Sequence, residues 1–240
     1  MCLSQYRRFF IFDERREKMK YRHEFKHEIS YSDMLVLRSR LSAVMKKDVH
    51  AIDGKYFIRS LYFDNLHDKA LMEKINGVNV REKFRIRYYN YDSSVIHLEK
   101  KSKINGLCVK SSAPLTKEQT QAIIDGDYEW MIKSNEPLIQ ELYSKMMSQG
   151  LRPKTIVDYD REPFVFAAGN VRVTLDYNIR TGINCTDFLN PDCVTVPTEN
   201  VIILEVKWDE YLPDIIRDII QLTGCRTGNY SKYAVSRIYG

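Results

Sequence analysis

REKFRIRYYN, residues 81–90, puts Arg81, Lys83, Arg85 and Arg87 on every second position, with Glu82, Phe84, Ile86 and Tyr88 between them. A period of two is the signature of a β-strand, whose successive side chains point to opposite faces. One face of this strand therefore carries four cations in a row, and the other is mostly apolar. The division recurs. In KYRHEFKHE (20–28), Arg22, Glu24, Lys26 and Glu28 share a face. In VIHLEKKSK (95–103), His97, Glu99, Lys101 and Lys103 do so. In NVRVTLDYNIR (170–180), Arg172, Thr174, Asp176, Asn178 and Arg180 oppose Val171, Val173, Leu175, Tyr177 and Ile179. In NVIILEVKW (200–208), Glu205 and Lys207 oppose Ile202, Leu204, Val206 and Trp208.

An ordinary sheet with one face on a core and one in water also alternates, so no single strand decides. Taken together, the strands are unusual. Like charges directly opposite across strands destabilise a sheet, and two unit charges ~5 Å apart at an effective dielectric of ~20 repel by about 3 kcal/mol. A surface that accepts this repeatedly is built to hold a polyanion. The apolar faces then pack outward against helices, and the charged faces line a groove or a closed tunnel. The carboxylates among the cations, Glu24, Glu99 and Glu205, serve either as salt-bridge partners or as oxygen ligands of Mg²⁺ or Mn²⁺.

The rest of the chain supplies the helices. Ser32 looks like the cap of a helix with Leu35, Leu37, Leu41, Val44 and Met45 in its stripe. KYFIRSLYFDN (55–65) reads as a strand and HDKALMEKI (67–75) as a short helix. Asn105-Gly106 signals a hairpin after the 93–103 strand. Thr116 and Gln119 form a capping box for a helix ending near Gly126. Asn135 and Pro137 open another that closes at Gly150. TIVDYDREPFVFA (155–167) is a further strand, Asp214 to Leu222 an amphipathic helix, and the C-terminal GNYSKYAVSRIYG a short helix or turn. Many strands with a few helices predict an α+β chain on a mostly antiparallel sheet.

The 240 residues are 44% hydrophobic, enough for one sizeable core, and the net charge is +5. The five cysteines, Cys2, Cys108, Cys185, Cys193 and Cys225, include no C-x-x-C, which suits a reduced, cytoplasmic protein without a disulfide framework. No apolar run approaches the ~20 residues of a membrane span. Residues 1–18 are expected to be an extension before Met19 or, equally, a short N-terminal helix. Residues 19–240 are expected to form a single domain.

RHEFKHEI, SLYFDN, REKFRIRYY, LEKKSK, YDREPF, VRVTLD, LEVKW and the terminal NYSKY, in this order, resemble the VTC (vacuolar transporter chaperone) domain, the polyphosphate polymerase branch of the triphosphate tunnel metalloenzymes related to the CYTH proteins. The resemblance covers roughly residues 19–240. It implies an antiparallel β-barrel tunnel with helices packed outside. Such a tunnel binds ATP phosphates and a divalent metal, and transfers the terminal phosphoryl group to a growing polyphosphate chain. Arg85 and Arg87 match the family's R-x-R pair and Lys26 its N-terminal tunnel lysine. Lys101 matches the lysine of the E-x-K strand, Lys110 that of the next strand, and Arg161 the arginine of the Y-x-R segment. Glu205 matches the metal-binding glutamate of LEVK with Lys207 beside it, and Ser231 and Lys232 match the C-terminal S-K pair. Arg22, Arg81, Lys83 and Arg172 join the expected phosphate-binding set through their strand faces. The family's K-F-S-K reads here as Asn229-Tyr230-Ser231-Lys232, so its first lysine is missing. Export of a product would need a membrane-protein partner.

Other possibilities stay open at this point. A tunnel with water as nucleophile is a triphosphatase or polyphosphatase, and one without turnover is a polyphosphate or inositol-phosphate binding module. HEFKH (23–27) matches the H-E-x-x-H of zinc proteases, but the helix cap follows the motif, which argues for a strand. The 12% aromatic content would suit base stacking, yet many aromatics fall on the apolar faces, so nucleic acid is not an expected partner.

Overall fold

The computed structural model describes residues 22–104, 107–222, 226–227 and 230–238. The expected extension 1–18, Met19, the Asn105-Gly106 turn and Asn229 lie outside the described residues.

The strands are β1 (His23–Ile29), β2 (Lys46–Lys47), β3 (Tyr56–Asp64), β4 (Arg81–Tyr89), β5 (Asp92–Ile104), β6 (Leu107–Leu115), β7 (Arg152–Phe166), β8 (Val171–Thr181), β9 (Val196–Pro197), β10 (Ile202–Trp208) and β11 (Arg226–Thr227). The α-helices are α1 (Tyr31–Val44), α2 (Lys69–Ile75), α3 (Lys117–Asp125), α4 (Pro137–Gln149), α5 (Asp214–Ile219) and α6 (Lys232–Ile238). Eight strands follow one another in the order β1-β10-β8-β7-β3-β4-β5-β6, each pair antiparallel. The sheet curls until its ends meet, where Arg22 bridges Cys108 of β6. The fold is α+β, an antiparallel barrel with α1, α3, α4 and α5 on its outer faces and α6 packed against inward side chains, Tyr233 against Tyr62 and Tyr159.

Alternation decides which side chains enter the bore. On β4, Phe84, Ile86 and Tyr88 face out; with Ile96 and Leu98 of β5 they pack under Ile123 of α3 and Leu138, Ile139, Leu142 and Met146 of α4. On the opposite wall, Val173, Leu175, Leu204 and Val206 pack under Met34, Leu37 and Leu41 of α1 and Ile216 of α5. A third apolar group, Tyr56, Ile58, Tyr62, Val157, Tyr159 and Ile203 with Tyr233 of α6, joins three strands to the C-terminal helix. The Tyr233 hydroxyl donates to Asp64 Oδ2 at 2.6 Å, which anchors the helix there.

Three local expectations need correction, at α1, β8 and the start of α4. The cap of α1 is Ser30, not Ser32: Ser30 Oγ accepts from the Asp33 amide and Asp33 Oδ2 from the Ser30 amide, each at 3.1 Å. This moves the stripe, so Met34 is buried and Leu35 is exposed. On β8 the alternation fails near Asn178. Its φ is +52° and the β7–β8 register shifts between Asp158 and Asp160, the mark of a bulge. Ile179 therefore joins the Tyr159 group rather than the α1 side. Asn178 bonds Asp160 at 2.8 Å, and Arg180 reaches Thr195 at 2.9 Å. The capping box of α3, its end at Gly126, and Pro137 and Gly150 at the ends of α4 are as expected. Glu136, not Asn135, precedes the first turn of α4.

HEFKH is strand. His23 stacks on Trp208 with centroids 5.3 Å apart, and His27 lies edge-on to Phe25. The two histidines belong to the outer face of β1, which removes the zinc-protease alternative. Among the described residues no helix is long and apolar enough to cross a membrane.

Candidate functional site

Two cavities lie along the bore. One, ≈ 300 Å³, takes Arg85, Arg87, Lys110, Arg161, Arg172 and Lys207. The other, ≈ 330 Å³, takes Lys74, Arg81 and Lys103. Glu24, Lys26, Lys83, Lys101, Cys108 and Ser231 line both, so the cavities meet at a waist made of these six. Apart from Lys232 and Arg22, which line the first cavity, this accounts for every expected phosphate-binding residue.

The register sorts the charges into two walls. Across β4, β5 and β6, Lys83 lies opposite Lys101 and Lys101 opposite Lys110, while Arg81 faces Lys103. This wall is basic, with Glu99 as its carboxylate opposite Arg85. Between β1 and β10 and between β8 and β7 opposite signs meet: Lys26 faces Glu205, Glu24 faces Lys207, and Arg161 faces Asp176, whereas between β10 and β8 Lys207 lies opposite Arg172. Two lysines of the basic wall are themselves engaged by carboxylates, Lys101 by Glu24 of β1 and Lys110 by Glu99.

Each carboxylate is held by several cations. Arg85 Nη2 and Lys110 Nζ each reach Glu99 at 2.6 Å, and Arg87 approaches it at 3.7 Å. Burial pushes the Glu99 carboxyl up, but Arg85, Arg87 and Lys110 outweigh it and hold the group far below the usual range. Glu205 is held by Lys207 at 2.8 Å, Arg161 at 3.0 Å and Lys26 at 3.7 Å. Against burial, these cations and Lys232 keep it ionised well below the usual carboxylate range. Glu24 takes Lys101 at 2.6 Å and Lys26 at 3.1 Å. Burial and Glu205 raise it, yet the lysines bring it to about 2. Asp176 accepts from Arg161 Nε at 2.6 Å and from Lys232.

Lys83 is different. It lies deep in the bore with no carboxylate partner among the described residues; its neighbour is the Tyr62 ring, 5.3 Å away. Burial lowers its pKa to about 7, helped by Lys101, Lys26 and Arg85 and opposed by Tyr62. Burial also pushes Tyr62 up, but Arg85, Lys83 and Arg87 bring it down to about 7.

The three glutamates proposed as metal ligands do not form one cluster. Glu24 and Glu205 share Lys26, whereas Glu99 is engaged by Arg85 and Lys110. Among the described residues, no three His, Cys, Asp or Glu side chains gather to hold an ion by themselves. Two carboxylates nonetheless fit Mg²⁺, which usually takes one or two together with substrate phosphate oxygens.

Arg22 and Arg172 sit at the rim, where Arg22 pairs with Asp209 at 2.7 Å and Arg172 with Asp48 at 3.1 Å. Ser231 and Lys232, at the start of α6, are buried. Tyr62 and Tyr159 were missed from the sequence. Their hydroxyls accept from Arg85 at 3.0 Å and from Arg87 at 2.9 Å, fixing both guanidinium groups. The available signal was parity: Ser60, Tyr62 and Asp64 share a phase of β3. Asp176 lies on the charged face of β8, and the structure adds it to the site through Arg161 and Lys232. Lys74 of α2 carried no signal, since helix docking alone brings it to the mouth.

The fold and bore define the class, an antiparallel barrel around a tunnel lined by cations and buried carboxylates. The chain belongs to the VTC domain family, whose sequence model matches residues 21–238. No curated protein matches it. Solved structures similar to it include a proposed adenylate cyclase from Bacillus halodurans, 13% identical over 82% of this chain and 86% of that one, with a TM-score of 0.48. A second is the PH1012 protein of Pyrococcus horikoshii, at 11% identity, 83% and 85% coverage and a TM-score of 0.41. A third is a proposed adenylate cyclase from Vibrio parahaemolyticus, at 10% identity, 83% and 82% coverage and a TM-score of 0.43.

Proposed function

We propose that the protein is a polyphosphate polymerase, which transfers the γ-phosphoryl group of ATP to a growing polyphosphate chain inside the tunnel. The observation that carries this is the in-register row Lys83–Lys101–Lys110, which runs from the waist shared by the two cavities into the first of them. Lysines held directly opposite one another repel. Glu24 and Glu99 offset this for Lys101 and Lys110, Lys83 has no such partner among the described residues, and a polyanion between the walls offsets the positive charge that remains. Two cavities joined end to end suit an extended chain meeting a triphosphate.

The residues have little covalent work to do. A polyphosphate end is already anionic, so no side chain must act as general base. Arg85, Arg87 and Arg161 supply forked donors matched to phosphate oxygens, and Lys26, Lys101, Lys110 and Lys207 supply point charge. Tyr62 and Tyr159 hold Arg85 and Arg87 in place, so their charge needs no reorganisation as negative charge shifts in the transition state. Glu24 and Glu205 are the carboxylates assigned to Mg²⁺ or Mn²⁺, which when bound offsets phosphate charge. Arg22, Arg172, Arg81, Ser231 and Lys232 complete the path of the chain. ATP and polyphosphate are the proposed ligands, the cytoplasm the proposed setting, and a membrane-protein partner the proposed route for export.

A tunnel hydrolase is the second possibility, since the same cradle accepts water. Labelling the γ-phosphate of ATP separates the two. Label in long chains supports the polymerase; label released as orthophosphate replaces it with a hydrolase; tight binding without turnover replaces it with a binding module.

A further inference from the structure

The segment between β8 and β9 carries two cysteines that the tunnel does not use. The sulfurs of Cys185 and Cys193 stand 2.9 Å apart, inside the normal contact distance of two thiols. Both are free and only partly buried, so a small oxidant can reach them. Their backbone is fixed on either side: the Cys185 amide donates to the Gly182 carbonyl at 2.8 Å and the Cys193 amide to the Asn190 carbonyl at 3.2 Å. Between them Phe188 is fully buried, its ring tilted against that of Tyr88 with centroids 4.7 Å apart, and the Tyr88 hydroxyl donates to the Phe188 carbonyl at 3.2 Å. Arg59 donates to the Asn190 carbonyl at 2.5 Å. The segment thus buttresses the outer faces of β3 and β4, whose inner faces carry Tyr62, Arg85 and Arg87.

We propose that Cys185 and Cys193 are an oxidation site, closing to an intrachain disulfide that clamps the Phe188 segment onto β3 and β4. With a low-molecular-weight disulfide as oxidant, a thiolate of the pair attacks it and releases one thiol. The second sulfur then attacks the mixed disulfide, forming the Cys185–Cys193 bond and releasing the other. Two protein thiols are oxidised, one small disulfide is reduced, and the two protons pass to the released thiols. Burial and the hydrogen bond with Cys185 push the Cys193 thiol up to about 12. The pair therefore rests as thiols at neutral pH, and closure accelerates as pH rises because the thiolate is the attacking species.

The test incubates the full chain with oxidised glutathione or with a reductant, blocks remaining thiols with an alkylating reagent, and maps peptides without reduction. The expected result is that Cys185 and Cys193 escape alkylation together, with the loss of two hydrogens from the peptide holding both, while Cys108 is alkylated. Closing so short a ring should raise Tm by about 4–10 °C, reversibly with reductant and not in Cys185→Ser. Full alkylation of either cysteine after oxidation, or a separate glutathione on each, overturns the proposal. The mapping uses the natural sequence, so a variant that fails to fold does not remove the test.

Discussion

Lys83 and Glu205 carry the sharpest residue-scale expectations. Lys83 has a pKa of about 7 in the empty bore, so it loses its charge across neutral pH. Triphosphate affinity should fall roughly tenfold from this group between pH 6 and 8, the scale of one hydrogen bond to a charged group. Lys83→Arg keeps its charge and should remove that fall. Triphosphate itself titrates, so the difference between the two proteins in a calorimetric pH series is the diagnostic; identical slopes would exclude Lys83 from the site. Stability moves the other way. The unfolded chain holds this proton up to the ordinary value of 10.5, so the empty protein gains stability from Lys83 as pH rises from about 7 towards 10. Glu205→Gln should reduce turnover by about 10²-fold, typical of losing an electrostatic catalytic group, with ATP binding less affected. Normal turnover of that variant with Mn²⁺ would reduce Glu205 to an ion-pair partner of Arg161, Lys26 and Lys207.

At the scale of single elements, α1 and β8 separate stability from function. Ser30→Ala removes a capping box that packs α1 on the outer wall, and should cost about 1 kcal/mol, or ~2–4 °C in Tm. The Ser30→Ala protein should bind triphosphate unchanged, because α1 touches only outward faces; a thermal melt paired with calorimetry checks both. At the β8 bulge the backbone of Asn178 has a positive φ, which a β-branched residue adopts only at a cost of about 1–3 kcal/mol. Asn178→Val should destabilise accordingly, and Asn178→Gly should not.

For the molecule as a whole, ligand binding and folding are linked. At a ligand concentration 100 times Kd the gain is about 2.7 kcal/mol, so Tm should rise by roughly 5–11 °C with triphosphate or polyphosphate. Orthophosphate should act only at far higher concentration. A solvated basic face would instead give small shifts, similar for all anions and lost in ~0.5 M salt. Register decides what removing a cation does. Arg85→Ala strips a partner from Glu99, a buried carboxylate, and should lower the ligand-free Tm while abolishing much of the ligand shift. Lys83→Met strips no carboxylate and should leave the ligand-free Tm unchanged or higher.

The sequence by itself determined which residues become strands and which face of each is charged. Backbone pleat makes that a local property with a period of two, and each apolar face needs a helix or core to cover it. It therefore determined most of the tunnel lining, from Lys26 through Arg85 and Arg87 to Glu205. Only the tertiary structure decided how those faces meet. Which cation faces which carboxylate depends on strand order and register, and neither is written in any one strand. That is why Lys83 has no carboxylate partner among the described residues, Glu99 was taken up by Arg85 and Lys110 rather than joining Glu24 and Glu205, and Tyr62 and Tyr159 turned inward to hold the arginines. The bulge at Asn178 belongs to the same class, because one residue out of phase changes the face of every side chain after it.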